Sequence, residues 1–191
     1  TLPDVLSQAE TLTLLGQVQK MRYRVCLITI YSMGLRISEA LRISPADFCS
    51  ARMTLHIRNS KGNKDRLVPL PELTYYLLKK YWVTHKNPNM LFPKICQTST
   101  TESHMLKGGV QSALRAALRD SGIRKKITVH SLRHSYATHL VEMGINLRVI
   151  QEILGHSSPV TTAIYTKLSK PVIQDSEKII NILMHNLRPL I

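Results

Sequence analysis

His130-Ser131-Leu132-Arg133-His134-Ser135-Tyr136-Ala137-Thr138-His139-Leu140 continues through Val141, Glu142 and Met143 to Gly144, a pattern that predicts a helix over 131–143 stopped by a glycine. His130 and Arg133 stand three residues apart and share a helix face, so both can reach one anion. His130 and His134 also have the i, i+4 spacing of a zinc pair. The metalloprotease pattern needs a glutamate at position 131, where Ser131 stands, and no carboxylate base or third ligand accompanies the pair. No metal is expected.

Downstream, Leu147, Ile150, Ile153 and Leu154 make the next helix, closed by Gly155, and His156 follows at once. Ser158 and Pro159 are a cap and a first-turn proline for a helix with Val160, Ile164 and Leu168 at spacing four. Tyr165 lies beside that apolar stripe rather than on it. Lys170-Pro171 ends the helix, and a markedly apolar one follows over about 172–187, with Val172, Ile173, Ile179, Ile180, Leu183, Met184 and Leu187.

Upstream, Ser7 and Glu10 form a capping box for a helix beginning near Ser7. The run Val25-Cys26-Leu27-Ile28-Thr29-Ile30 is too continuous for a surface helix and predicts a buried one ending at Gly34, leading directly into Arg36. A short helix follows at Ser38-Glu39-Ala40-Leu41, stopped by Ser44-Pro45. The period then changes to two: Met53, Leu55 and Ile57 face one way, Thr54, His56 and Arg58 the other. Arg66-Leu67-Val68-Pro69-Leu70 resumes after Lys61-Gly62-Asn63-Lys64, a β-hairpin with those four residues at its tip. Leu73 to Val83 is helical and Asn87-Pro88-Asn89 breaks it; residues 94–108, with Gly108-Gly109, read as a loop before a helix over Val110–Ser121. The fold class expected is mainly α with a small antiparallel β-sheet (α+β), in one compact domain of 191 residues.

The chain carries 26 Lys and Arg against 12 Asp and Glu, a net charge of +14, which favours a polyanionic partner. Arg58, Lys64, Arg66, Arg124, Lys125 and Lys126 fall in the most basic part and are the candidates for DNA-backbone contact. Only 5% of residues are aromatic, too few for a single-strand stacking platform, so duplex DNA is the better partner. Cys26, Cys49 and Cys96 are odd in number, widely spaced and without CxxC pairing, as in a reduced cytoplasmic protein with buried thiols. Neither a long apolar run nor a signal-peptide pattern occurs, so no membrane association or export is expected. The absence of an initiator methionine suggests a trimmed fragment.

A phosphodiester transition state spreads charge over two non-bridging oxygens, and planar guanidinium groups match it with paired hydrogen bonds. Arg36 and Arg133, each beside a helix terminus, are the candidates for that role. A phenol becomes a useful nucleophile only when a base takes its proton or cations favour the phenolate, a field that the two arginines, Lys61 and His156 can supply to Tyr165. Lys61, on a turn, is suited to protonating a leaving 5′ oxygen.

Gly34-Leu35-Arg36-Ile37-Ser38-Glu39-Ala40-Leu41, Lys61 through Leu70, His130 through Leu140, Leu154-Gly155-His156-Ser157-Ser158 and Tyr165-Thr166 together resemble the catalytic domain of the tyrosine recombinase (phage integrase) family, closest to the Xer-type and to transposon or phage integrases of bacteria. The resemblance extends over nearly the whole chain. It implies attack by Tyr165 on a scissile phosphate, giving a 3′-phosphotyrosyl enzyme and a free 5′-hydroxyl without metal, ATP or other cofactor. It further implies that Arg36 and Arg133 bind the phosphate oxygens, Lys61 is the general acid, His130 serves in acid/base transfer and His156 orients the phosphate. Glu39 would hold a basic residue behind the site. Residues 1–191 then correspond to the C-terminal catalytic domain, with the N-terminal core-binding domain of relatives absent. The same likeness implies a homo-oligomer, a tetramer on DNA, in which the helix over 172–191 docks on a neighbouring protomer, and a cytoplasmic, nucleoid-associated setting in a bacterium. Lys167 replaces a histidine common in relatives and Pro159 an aliphatic residue; neither removes a catalytic group. A type IB topoisomerase, with the same chemistry but no joining of two sites, and a non-catalytic basic DNA-binding module remain the alternatives.

Overall fold

The computed structural model describes residues 4–58, 65–94, 103–155 and 170–191. Eight α-helices and three short strands lie within them. Helix α2 (Met21–Ser32) is the centre of the fold, with eight consecutive residues buried from Val25 to Ser32. A helix buried on every side can have no amphipathic stripe, which is why its sequence is apolar all round. Around it pack α4 (Glu72–Val83), α5 (Lys107–Asp120) and α6 (Val129–Glu142). Each fully buried aliphatic or aromatic side chain in this core, such as Leu27, Ile28 or Phe92, contributes about 1.5–3 kcal/mol.

Helix α1 (Gln8–Gly16) begins as its sequence predicts: Ser7 accepts from the Glu10 amide and the Glu10 carboxylate accepts from the Ser7 amide. Helix α3 (Ile37–Leu41) is short and runs into a 3-10 turn at Pro45–Asp47. The sheet is antiparallel, in the order β1 (Phe48–Cys49), β2 (Thr54–Ile57), β3 (Arg66–Pro69). Its register sets Leu55 opposite Val68, both buried, and Ile57 opposite Arg66. The two-residue β1 was not legible in the sequence, being too short to display a period. The hairpin tip, with Lys61 and Lys64, lies outside the described residues, as do Cys96, His156 and the stretch containing Tyr165.

Two boundaries differ from the sequence reading. Helix α5 starts at Lys107, so Gly108 and Gly109 belong to its first turn rather than to a loop. A Cβ on Gly109 would come within 2.6 Å of the Tyr23 hydroxyl oxygen, so glycine is there for close helix approach and not to break the helix. Likewise α8 (Lys170–His185) takes in Lys170 and Pro171, the two residues expected to end the preceding helix. Helix α8 lies against α4 and α6 of its own chain, burying Ile180, Leu183 and Met184. Helix α7 (Leu147–Leu154), capped by the Asn146 side chain, completes the set and packs on α6 and β3. Cys26 is buried, Cys49 half-buried, and burial pushes the Cys26 thiol up to about 12.

Candidate active site

Three turns meet beside α2. The first closes that helix: Gly34, at φ +60°, donates to Tyr31 O and Leu35 to Ile30 O, a Schellman arrangement that turns the chain into Arg36. A Cβ at Gly34 would lie 2.6 Å from Leu154 Cδ2 and 2.7 Å from the Tyr136 ring, so the turn is both left-handed and closely packed. The second is the C-terminus of α7, where Gly155 adopts φ +65°. The third is the start of β3, where Arg66 leaves the hairpin.

Glu39, at the third position of α3, joins them. Its carboxylate reaches back to the Arg36 amide (2.8 Å) and accepts from Arg36 Nη1 (2.7 Å), fixing the start of the helix. Arg66 grips the same carboxylate with both terminal nitrogens, Nη1 to Oε1 and Nη2 to Oε2, each at 2.9 Å, in a fork geometry available to arginine but not to lysine. Arg133 Nη1 stands 3.8 Å from Oε2. Burial, the largest single influence on Glu39, works to raise its pKa; the hydrogen bonds and charge of Arg66, with those of Arg36, outweigh it and hold the carboxyl at about 2. Three guanidiniums around one carboxylate leave the cluster with excess positive charge, which suits an anion.

Arg66 and Arg133 also cap α7. Arg66 Nε donates to Ile153 O at 2.9 Å, and Arg133 Nη2 to Leu154 O at 2.6 Å, satisfying last-turn carbonyls at the negative end of the helix dipole. Arg133 Nη1 donates to Gly34 O at 2.8 Å. Those two carbonyls occupy two of the five guanidinium N–H groups. Burial, with Arg36 nearby, draws the Arg133 pKa down to about 10, so it still carries its charge at neutral pH. Among the three arginines Arg36 is the most accessible, with 23% of its side chain exposed against 10% for Arg66 and 3% for Arg133.

His130 is exposed in the first turn of α6, its ring edge-on to His134 with centroids 4.5 Å apart. Thr128, which accepts from the Ser131 amide, is the N-cap, so this helix starts two residues earlier than its sequence suggests and His130 lies within it. One turn after Arg133 the helix does something unpredicted: it holds the N-terminal segment. His139 Nε2 lies 2.8 Å from Leu6 O, which can only accept, so Nε2 carries the proton and Nδ1 accepts from the Tyr31 hydroxyl at 2.8 Å. Ser135 accepts from the Leu6 amide at 2.9 Å, so both backbone groups of Leu6 are tied to α6.

Of the sequence-predicted site, the structure therefore brings Arg36, Glu39 and Arg133 together, with His130 one turn from Arg133. Lys61, His156 and Tyr165 lie outside the described residues, as does Lys64. Arg66 is a correction. Expected on the DNA backbone, it is instead turned inward onto Glu39 and Ile153 O, because a buried carboxylate and a helix end both need its donors. Lys125 likewise spends its charge on Glu10 Oε2 (2.6 Å) and Val5 O (2.9 Å). Arg124 and Lys126 are exposed; Arg58 pairs with Asp47 at 2.8 Å while 58% of its side chain stays exposed. Beside the cluster, Arg42, His56, Arg58 and His104 line a recess with Glu39 and Asp47, a grouping of distant segments that no local pattern signals. Among the described residues no group of three His, Cys, Asp or Glu could hold a metal ion.

The sequence model of the phage integrase family matches residues 4–171. A tyrosine recombinase of Thermosipho africanus is 36% identical over 167 residues, 86% of this chain and 57% of that protein. A putative integrase/recombinase of Sinorhizobium fredii is 38% identical over 169 residues, 88% of this chain and 53% of that protein. The chain thus spans little more than half the length of these relatives. Among solved structures, XerA recombinase superposes with a TM-score of 0.69 at 28% identity, covering 92% of this chain and 64% of that one. The pre-cleavage complex of XerH site-specific recombinase bound to its difH substrate does so at 0.70 and 27%, covering 92% and 54%.

Proposed function

The chain belongs to the phage integrase family, and from that premise we propose that it is the catalytic portion of a site-specific tyrosine recombinase that cleaves and rejoins duplex DNA. The observation that carries the reading is the convergence of Arg36 and Arg133, with Arg66, on a buried Glu39: a cationic cluster at the meeting of three turns, built before any anion arrives.

In this reading the scissile phosphate binds between Arg36 and Arg133, whose guanidiniums neutralise its non-bridging oxygens. The Tyr165 oxygen attacks phosphorus as its proton passes to His130; the new O–P bond forms as the bond to the 5′ oxygen breaks. Lys61 gives that leaving oxygen a proton, His130 serves in acid/base transfer and His156 orients the phosphate. The bond energy is kept in the 3′-phosphotyrosyl link, so attack by a 5′-hydroxyl reverses the step and joins the strands, and no ATP or metal is consumed. Arg58, Lys64, Arg124 and Lys126 contact the duplex backbone, an attraction that weakens steeply with salt.

The reading includes a tetramer on DNA in which α8 docks on a neighbouring protomer. Because α8 buries Ile180, Leu183 and Met184 against its own chain, exchange costs that burial until the partner restores it, and a monomer is expected without DNA. The setting proposed is the bacterial cytoplasm, on nucleoid DNA; no helix among the described residues is long and apolar enough to cross a membrane.

The test incubates the protein with supercoiled plasmid in EDTA, quenches with detergent and compares wild type with Tyr165→Phe. A protease-sensitive covalent adduct in wild type alone supports the reading. DNA binding without an adduct in either, repeated with a longer chain carrying any preceding domain, would overturn it.

A further inference from the structure

Glu39 presents a difficulty for any anion site built from Arg36 and Arg133. It is an ionised carboxylate in hydrogen-bond contact with one of them and 3.8 Å from the other, so it competes with a phosphate for the same two cations. Unopposed, a buried carboxylate in that position would turn both guanidiniums inward. Arg66 alters this balance. Its fork takes an N–H to each Glu39 oxygen, and its Nε holds the last turn of α7, so it is fixed from both sides and stands with 10% of its side chain exposed. Gly155 completes the arrangement: a Cβ there would come within 2.9 Å of Arg66 Cδ and 3.1 Å of its Nε, so the absence of a side chain lets Arg66 cross the helix end to reach Glu39.

Resting on the recombinase reading above, we propose that Arg66 is a positioning residue: it neutralises Glu39 from behind, so that the charge of Arg36 and Arg133 remains available to the scissile phosphate. It does not touch the phosphate. Glu39 in turn sets the orientation of Arg36 through its amide and Nη1 contacts. The division explains why three cations surround one carboxylate: one arginine balances it and two are left for the ligand. Three of the five Arg66 N–H groups are committed to Glu39 and Ile153 O, and its side chain is less than half as exposed as that of Arg36, which places it behind the anion site rather than in it.

The discriminating experiment is a double-mutant cycle on the full chain. Arg66→Met keeps the length of the side chain and removes its charge; adduct formation at saturating DNA is expected to fall about 100-fold with the DNA concentration for half-maximal rate nearly unchanged. Adding Glu39→Gln, which removes the uncompensated charge, should restore at least about tenfold of that loss, a coupling that a direct phosphate contact would not produce; a purely structural role is told apart by urea unfolding, whose midpoint would then follow the same cycle as the rate. Arg66→Lys, which keeps a charge but not the fork, should fall between wild type and Arg66→Met and provides a second variant if Arg66→Met fails to fold. A parallel arm measures binding of inorganic phosphate alone: weakened in Arg66→Met, recovered in the double variant. No recovery in either arm overturns the proposal. If wild type forms no adduct, also in a longer chain carrying any preceding domain, while phosphate binding follows the cycle, the recombinase reading fails and the role of Arg66 stands.

Discussion

Arg133 donates through Nη1 to the carbonyl of Gly34 at 2.8 Å, so the arginine of one helix is seated on the turn that ends another. Replacing Gly34 by alanine imposes a left-handed backbone on a residue with a side chain and drives its Cβ into Leu154 and Tyr136. A loss of about 2–4 kcal/mol is expected in urea unfolding, from strain and overpacking together. Unchanged stability would show that the turn relaxes, and that the seat of Arg133 is softer than its geometry implies.

The Glu39 cluster sets an acid limit on stability. The folded carboxyl is held at about 2, below its ordinary 4.5, so its contribution is complete above pH 4.5 and is lost as pH falls from there toward 2. Glu39→Gln is expected to be less stable at neutral pH and to show a flatter profile across that window. Chemical denaturation at stepped pH measures both slopes; parallel profiles would remove Glu39 as the source.

His139 titrates with the opposite chemistry but the same sign. Burial, the largest influence, lowers its pKa below the ordinary 6.5, outweighing its hydrogen bond to Leu6. The unfolded chain therefore takes up a proton more readily, and stability is expected to fall as pH drops below about 6.5. Tyr31→Phe leaves Nδ1 without its donor and should cost about 1–3 kcal/mol. Nitrogen NMR of the His139 ring should show the proton on Nε2; a proton on Nδ1 would refute the assigned relay.

Glu152 is the opposite of Glu39. It is buried on α7, its Oε1 has no hydrogen-bond partner among the described residues, and burial raises its pKa. Above that raised pKa the charge opposes folding, and the penalty is relieved as pH falls through it. Glu152→Gln is expected to stabilise the protein by about 1 kcal/mol at pH 7, with the gain shrinking in acid. Thermal unfolding at pH 7 and pH 4.5 distinguishes this from a packing effect, which would not change with pH.

By itself the sequence determined most of the described helices. The capping box at Ser7 and Glu10, the left-handed glycines at 34, 144 and 155, and the apolar run of α2 are local signals, and each local conformation is decided by a few neighbouring residues. Arg36 and Arg133 were legible as candidates for one anion site because the groups flanking them lie in short, ordered motifs, and the structure gathers both beside Glu39. What only the tertiary structure decided is where each charge is spent. Arg66 and Arg58 read alike in sequence, both basic and both on the hairpin, yet one is folded onto Glu39 and the other stays 58% exposed. His139 looked like one more residue of its motif, and its bond to Leu6 spans 133 positions. Hydrogen-bond donors and charges are assigned by which partners burial brings within about 3 Å, and that proximity between distant segments is a property of packing that no local period encodes.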